Sequence, residues 1–250
     1  MRVVITGGAG FIGGHVAEKL AQQGHEVTIF DKLAPRYPLH AGEGRIEFVQ
    51  GDVTDKATMS IVFTGKDVVY HLAAMSNTMH CVQFPDRAVE VNCLGTVSVL
   101  EVAQKVGVKR VVVAGSTLVS GLMPEDQDRM IDAEKSYHLY VTTKLFQEMV
   151  ARDFYEMYGL PYTVLRYGIC YGPRMTHGVV TDIFVKKALS GEPLTVDNGG
   201  LQWRQYMYVE DLADAHVAVL DPKAENKTYN VAGNEKVRII DIARAVQKAV

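Results

Sequence analysis

The sequence predicts an α/β fold: a doubly wound, mostly parallel sheet carrying a small C-terminal lobe. Three observations predict it. Short β-branched runs alternate with longer amphipathic stretches, the pattern of β-α-β units. Several of these runs are apolar throughout instead of alternating, as strands covered by helices on both faces require. After about Tyr167 the pattern becomes less regular, with Gly, Pro and aromatic clusters between short elements, as expected of a lobe built from insertions.

The elements follow in order. "RVVIT", "EVTIF", "IEFV", "DVVYHLA", "RVVVA" and "YTVLRY" read as strands. Ile12, Val16 and Leu20 recur at helical spacing behind the first strand, and Gly24 stands where a left-handed C-cap belongs. Residues 86–106, with Val89, Val97, Leu100 and Val102 among polar positions, and residues 137–158 read as two long helices. Ile239, Ile242, Ala243, Val246 and Val250 keep helical spacing to the last residue without a C-cap signal, so the C-terminus is expected to be incomplete. The expected division is a first domain over residues 1–167, with returning elements at about 205–232, and a lobe formed mainly by residues 168–250.

Composition narrows the function classes. A 250-residue chain with 48% hydrophobic residues and a formal charge of −3 can bury a full core. It carries no basic run of the kind that tracks a phosphate backbone, so nucleic acid is not an expected partner. Cys81, Cys93 and Cys170 have neither a C-x-x-C spacing nor an even count, which suggests no disulfide framework and no metal site and fits a reducing, cytoplasmic setting. No apolar run approaches membrane-spanning length.

The glycine-rich stretch Thr6-Gly7-Gly8-Ala9-Gly10-Phe11-Ile12-Gly13 follows a strand and opens a helix. There, backbone N–H groups and the positive helix end can face a pyrophosphate. Gly7 makes the tight turn, Gly10 lets a cofactor approach the backbone, and Gly13 lets helix and strand pack closely. By itself the stretch also reads as a tight strand-to-helix turn. Asp31 closes the second strand eighteen residues after Gly13, where a carboxylate can bind both hydroxyls of an adenosine ribose and repel a 2′-phosphate. That reads as a Rossmann-type site for NAD, with Lys32 and Arg36 able to soften the preference over NADP. Asp52, in "GDVTD", is placed either for the adenine edge or as a helix-start residue.

A second constellation is Tyr140-Val141-Thr142-Thr143-Lys144. Four-residue spacing puts phenol and ammonium on one helix face, and a tyrosine with an ordinary pKa of about 10 needs such a cation to act near neutrality. Ser116 follows the strand "RVVVA", at the carboxyl edge where doubly wound folds bind ligands. Its hydroxyl can orient the substrate oxygen that Tyr140 deprotonates, with Thr117 the neighbouring candidate. Either hydroxyl can instead satisfy loop backbone groups. Ser76, Met79 and His80 are candidates for the substrate pocket wall; Trp203, Tyr167 and Tyr171 are candidates to stack on a base or sugar, with packing the default for them and for His71.

Taken with "VVYHLAA", "VNCLGT", "GSTLVSG", "LRYGICYGPR" and "QYMYVEDLADAHV", the chain resembles the NAD-dependent sugar epimerase/dehydratase branch of the extended short-chain dehydrogenase/reductases. The resemblance runs over essentially the whole chain. It implies catalytic Ser116, Tyr140 and Lys144, and cofactor contacts at Gly7, Gly10, Phe11, Ile12, Asp31, Asp52, Val53, Leu72, Ala73, Ala74, Asn92 and Lys144. It also implies diphosphate pairing by Arg204, whose guanidinium geometry suits that task, and a homodimer through the two long helices. Relatives that dehydrate sugars carry Asp-Glu directly after the active-site hydroxyl; this chain has Thr117 and Leu118.

The expected activity is therefore 4-epimerisation of a nucleotide sugar of the UDP-glucose/UDP-galactose type, through a transient 4-keto sugar. Two departures point elsewhere. Ile169 replaces an asparagine that contacts the substrate phosphates in many relatives, and "SYHLYVTTK" lacks the usual proline before the tyrosine. An NAD(P)-dependent dehydrogenase of a smaller alcohol or ketone is the alternative, and a dinucleotide-sensing protein a third reading.

Overall fold

The computed structural model describes residues 1–120, 138–175 and 178–250. Tyr137, where the second long helix is expected to start, and Gly121, which closes "GSTLVSG", lie outside the described residues.

Seven parallel strands form the central sheet: β1 (Arg2–Thr6), β2 (Glu26–Asp31), β3 (Arg45–Gln50), β4 (Val68–His71), β5 (Arg110–Ser116), β6 (Tyr162–Tyr167) and, late in the chain, β10 (Lys227–Val231). Their order is β10-β6-β5-β4-β1-β2-β3, a Rossmann-type α/β sheet whose strand order reverses beside β1. The continuous apolar runs are explained by their surroundings. Val3, Ile5, Ile29 and Val112 pack on one side with Val16 and Leu20 of α1 (Phe11–Gln22). Val4, Val69, Val111 and Val113 pack on the other, with Val99 and Ala103 of one covering helix and Phe154 of another.

Behind β3 comes α2 (Lys56–Phe63), capped by Asp55, whose carboxylate accepts from the Ala57 and Thr58 amides. Asp52 is therefore not the helix cap. Two short helices, α3 (Thr78–Gln83) and α4 (Pro85–Val89), follow β4. The long helix expected over 86–106 is interrupted. A π-helical turn, Glu90–Leu94, separates α4 from α5 (Gly95–Lys105) and turns Asn92 fully inward. α6 (Leu139–Tyr158) is continuous for 20 residues and ends at Gly159 in the left-handed region.

The remaining chain divides its contacts. β7 (Ile169–Tyr171) pairs with β9 (Tyr206–Tyr208), and β8 (Trp203–Arg204) pairs with β11 (Val237–Arg238). α7 (Val180–Leu189) and α9 (Ile239–Ala249) share a separate small core through Phe184, Ile242, Ala243 and Val246. Between them α8 (Val209–Ala218) and β10 return to the main sheet, where Ala213, Val219 and Ala224 join the core beneath α1.

No helix among the described residues is long and apolar enough to cross a membrane.

Candidate active site

Two cavities meet at the carboxyl edge of the sheet. The first, of about 400 Å³, runs from the glycine loop to Ser116, Tyr140 and Lys144; the second, of about 630 Å³, opens from Ser116 and Tyr140 toward the small lobe.

The glycine loop is shaped by contacts that leave no room for side chains. Gly7 has φ +73°, and a Cβ there would lie 2.6 Å from the Ala73 nitrogen. A Cβ on Gly13 would collide with the Gly7 carbonyl oxygen, and no side chain caps the start of α1. Asp31 braces the loop: one carboxylate oxygen accepts from the Ala9 amide at 3.0 Å and the other from the Leu33 amide at 3.3 Å.

Gly7, Gly10, Phe11, Ile12, Gly13 and Asp31 all line the first cavity. So do Lys32, Asp52, Val53, Leu72, Ala73 and Ala74, with Ser76 beyond them. Lys32 is turned toward Asp52 at 3.1 Å, and Asp52 also takes Arg87 at 3.2 Å and the Thr54 amide at 3.0 Å. Burial alone would raise the Asp52 carboxyl; the Thr54 amide and Lys32 outweigh it and hold the group at about 2. Lys32, its side chain 56% exposed, is thus paired with a carboxylate at the mouth of this cavity.

Asn92 differs from expectation. It does not line the cavity but sits behind its wall, fully buried. Its amide oxygen accepts from the Met75 amide at 2.7 Å, while its nitrogen donates to the Met75 carbonyl at 3.2 Å and to Thr143 Oγ1 at 3.0 Å. These bonds hold the segment that carries Ala74 and Ser76 against α6.

At the junction, Tyr140 is hydrogen-bonded to the Ser116 side chain. Burial pushes its phenol up to about 12, against the downward pull of that hydrogen bond. Lys144 is 4% exposed, donates to the Ala114 carbonyl at 2.8 Å and places its ammonium 5.9 Å from the centre of the Tyr140 ring. Burial brings the ammonium down to about 8, opposed by Glu148. Phenol, hydroxyl and cation therefore converge on one point, an arrangement that can exchange a proton with an alcohol bound there.

The second cavity contains Ser76, Ser116, Thr117, Tyr140 and Arg204, with Met79 and Ile169 in its wall. Thr117 Oγ1 donates to the Tyr167 carbonyl at 3.1 Å, so this hydroxyl is partly spent on the scaffold. Among the described lining residues Arg204 is the sole Lys or Arg. His80 and Trp203 are not in the described walls, whereas Tyr167 lines both cavities. His71 is a core residue, fully buried between the Thr6 and Thr96 hydroxyls at 2.8 Å each, and burial lowers it to about 3. Sequence reasoning missed Met175 and Val179 of the cofactor-side wall, and Tyr206 and Ile239 of the second cavity. These residues reach the site through loop and lobe packing that carries no local periodic signal.

Fold, glycine cradle and Tyr-Lys-Ser junction define the class as a dinucleotide-dependent enzyme. Residues 3–232 match the NAD dependent epimerase/dehydratase family, and the chain belongs to it. The UDP-N-acetyl-alpha-D-glucosaminuronate decarboxylase of Bacillus cytotoxicus is 34% identical over 99% of this chain and 79% of its own length. A putative UDP-glucose 4-epimerase of Methanocaldococcus jannaschii is 31% identical over 96% of this chain and 79% of its own. The structure of Thermus thermophilus UDP-glucose 4-epimerase in complex with NAD superposes with a TM-score of 0.85 at 32% identity, covering 100% of this chain and 83% of that one. NAD is the cofactor. The residues fit it: the side-chain-free cradle at Gly7 and Gly13 and the open N-terminus of α1 suit the pyrophosphate, and Asp31 suits the ribose.

Proposed function

We propose that the protein is a UDP-sugar 4-epimerase acting on a neutral hexose, and that it works as a homodimer in the cytoplasm. Residues 1–167 with the elements at about 205–232 hold NAD, and the rest of 168–250 covers the sugar nucleotide. The observation that carries this reading is the convergence of Tyr140, Ser116 and Lys144 where the cofactor cavity opens into a second cavity whose described lining carries one Lys or Arg, Arg204.

Bound NAD supplies the hydride acceptor and donor at the sugar C4. Tyr140 Oη takes the proton of the C4 hydroxyl as that carbon is oxidised, and returns it after the 4-keto sugar has presented its other face. Ser116 holds the substrate oxygen through its hydroxyl, and Lys144 stabilises the developing phenolate through space. Arg204 pairs with the diphosphate. Thr117 and the apolar Leu118 offer no carboxyl to protonate a departing C6 hydroxyl, which disfavours dehydration.

The Bacillus relative favours a second reading, decarboxylation of a UDP-uronate; oxidation at C4 would place a ketone β to the uronate carboxylate, so the same Tyr140 chemistry can precede loss of CO₂. A uronate brings a carboxylate besides its diphosphate, and Arg204 is the sole basic side chain among the described lining residues, so a neutral hexose matches the cavity better. The test is incubation with UDP-glucose, UDP-galactose and UDP-glucuronate without added NADH. The expected result is the C4 epimer of the hexoses and no CO₂. Release of CO₂ from UDP-glucuronate alone assigns the decarboxylase. Net NADH formation from a smaller alcohol assigns a dehydrogenase, and NAD binding without any turnover a sensor.

A further inference from the structure

Glu148 and Arg166 form a buried ion pair that the Tyr-Lys-Ser chemistry does not use directly. Glu148 lies one helical turn beyond Lys144 on α6, with its side chain 5% exposed. Arg166 on β6 forks onto it: Nε donates to Oε1 at 3.1 Å and Oε2 at 3.0 Å, and Nη2 donates to Oε2 at 2.7 Å. Arg166 is the registered partner of Gly115 on β5, and a Cβ on Gly115 would lie 2.9 Å from Glu148 Oε1. The carboxylate therefore rests on Gly115 while the Lys144 ammonium rests on the carbonyl of Ala114, the residue before it. Ser116 is next in the chain. Three consecutive residues thus seat the Glu148 carboxylate, the Lys144 ammonium and the hydroxyl that meets Tyr140.

We infer that Glu148, clamped by Arg166 over Gly115, is a positioning residue for Lys144, one helical turn before it, whose ammonium lies 5.9 Å from the centre of the Tyr140 ring. Among the described residues, the titratable groups facing Lys144 are Tyr140 and Glu148 on α6, Cys81 on α3 and His71 on β4. His71 is neutral, and burial raises the Cys81 thiol; burial also raises the Glu148 carboxyl, opposed by the fork of Arg166 and by Lys144, and among these described groups Glu148 is the carboxyl that faces the ammonium. Glycine at 115 is needed by the same arrangement, since any side chain there would displace the carboxylate.

The inference rests on the epimerase reading only for its activity readout. The direct readout is the protonation of Lys144, followed in the NAD-free protein as the pH dependence of its labelling by a small acylating reagent, with the modified peptide quantified by mass spectrometry. Glu148→Gln is expected to move the Lys144 profile to lower pH by about one unit, because an opposite charge favouring the ammonium has gone. The alkaline limb of the epimerisation rate should move with it, since activity is lost as pH rises through the titration of Lys144.

Glu148→Gln leaves the Arg166 guanidinium without its carboxylate, with Ser120 Oγ at 3.4 Å as its remaining side-chain partner, and can unfold the protein, so Glu148→Leu/Arg166→Met is made beside it. Replacing a whole buried pair by apolar residues is often neutral or stabilising. That double variant is expected to melt like the parent yet keep the acid-shifted Lys144 profile. A parental Lys144 profile in the folded double variant overturns the inference and leaves the pair a packing feature. A shifted profile in a protein that turns over no UDP-sugar supports the inference and rejects the epimerase reading instead.

Discussion

A tyrosine titrates near 10 in water, and burial drives Tyr140 further from neutrality, to about 12. The free protein therefore holds a phenol, and the residue becomes a competent base only when positive charge gathers beside it. Lys144 supplies the fixed part of that charge, and its own depressed value near 8 still leaves it mostly protonated at neutral pH. Replacement of Tyr140 by Phe removes the proton carrier and little else, because the ring shape is kept and the glycine cradle does not involve the hydroxyl. Tyr140→Phe is expected to lower the epimerisation rate by about 10³-fold while NAD titration shows unchanged affinity. A rate within tenfold of the parent would mean that another group carries the proton. Asp52 makes the same point about single residues: its type suggests a cap or an adenine contact, and only its partners, Lys32, Arg87 and the Thr54 amide, show how it is held.

At the scale of elements, the strands were legible because burial on both faces forces continuous apolar runs, and the glycine loop because its spacing reflects steric needs at Gly7 and Gly13. The π-helical turn at Glu90–Leu94 was not legible. A helical period over 86–106 cannot display where one extra residue is inserted, and it is that insertion that turns Asn92 toward Met75 and Thr143. The pairs β7–β9 and β8–β11 escaped for a related reason: strands of two or three residues are made by distant partners, not by their own pattern. The Glu148–Arg166 pair likewise joins a helix to a strand and leaves no mark on either period. Asn92→Ala tests the role of the turn. It strands the Met75 amide and leaves the Met75 carbonyl only the Cys81 thiol at 3.4 Å, and should cost about 1–3 kcal/mol in urea unfolding. Affinity for NAD should weaken too, because the displaced segment carries Ala73, Ala74 and Ser76 of the cavity wall; unchanged stability and affinity would show that Asn92 is not the brace.

Across the whole molecule, apolar surface is distributed unevenly. Leu94, Phe146 and Met149, on or beside α5 and α6, are 59%, 38% and 45% exposed, and Tyr155, Met157 and Tyr158 at the end of α6 are exposed as well. Single exposed apolar residues need no explanation, but Leu94, Phe146 and Met149 stand on elements that pack together, and they are the side chains that the proposed homodimer would cover. A two-fold interface would bring α5 and α6 of each chain together as four helices, burying the patch against its own copy. Phe146 lies two residues beyond Lys144, so such an interface would also stiffen the helix that carries Tyr140 and Lys144. Sedimentation should therefore report twice the 27.6 kDa chain mass. The double variant Leu94→Glu/Phe146→Glu places like charges across the axis, and should sediment at the single-chain mass with its circular dichroism intact and its turnover reduced. If the parent protein itself sediments as a single chain at micromolar concentration, the patch has another occupant and the homodimer is rejected.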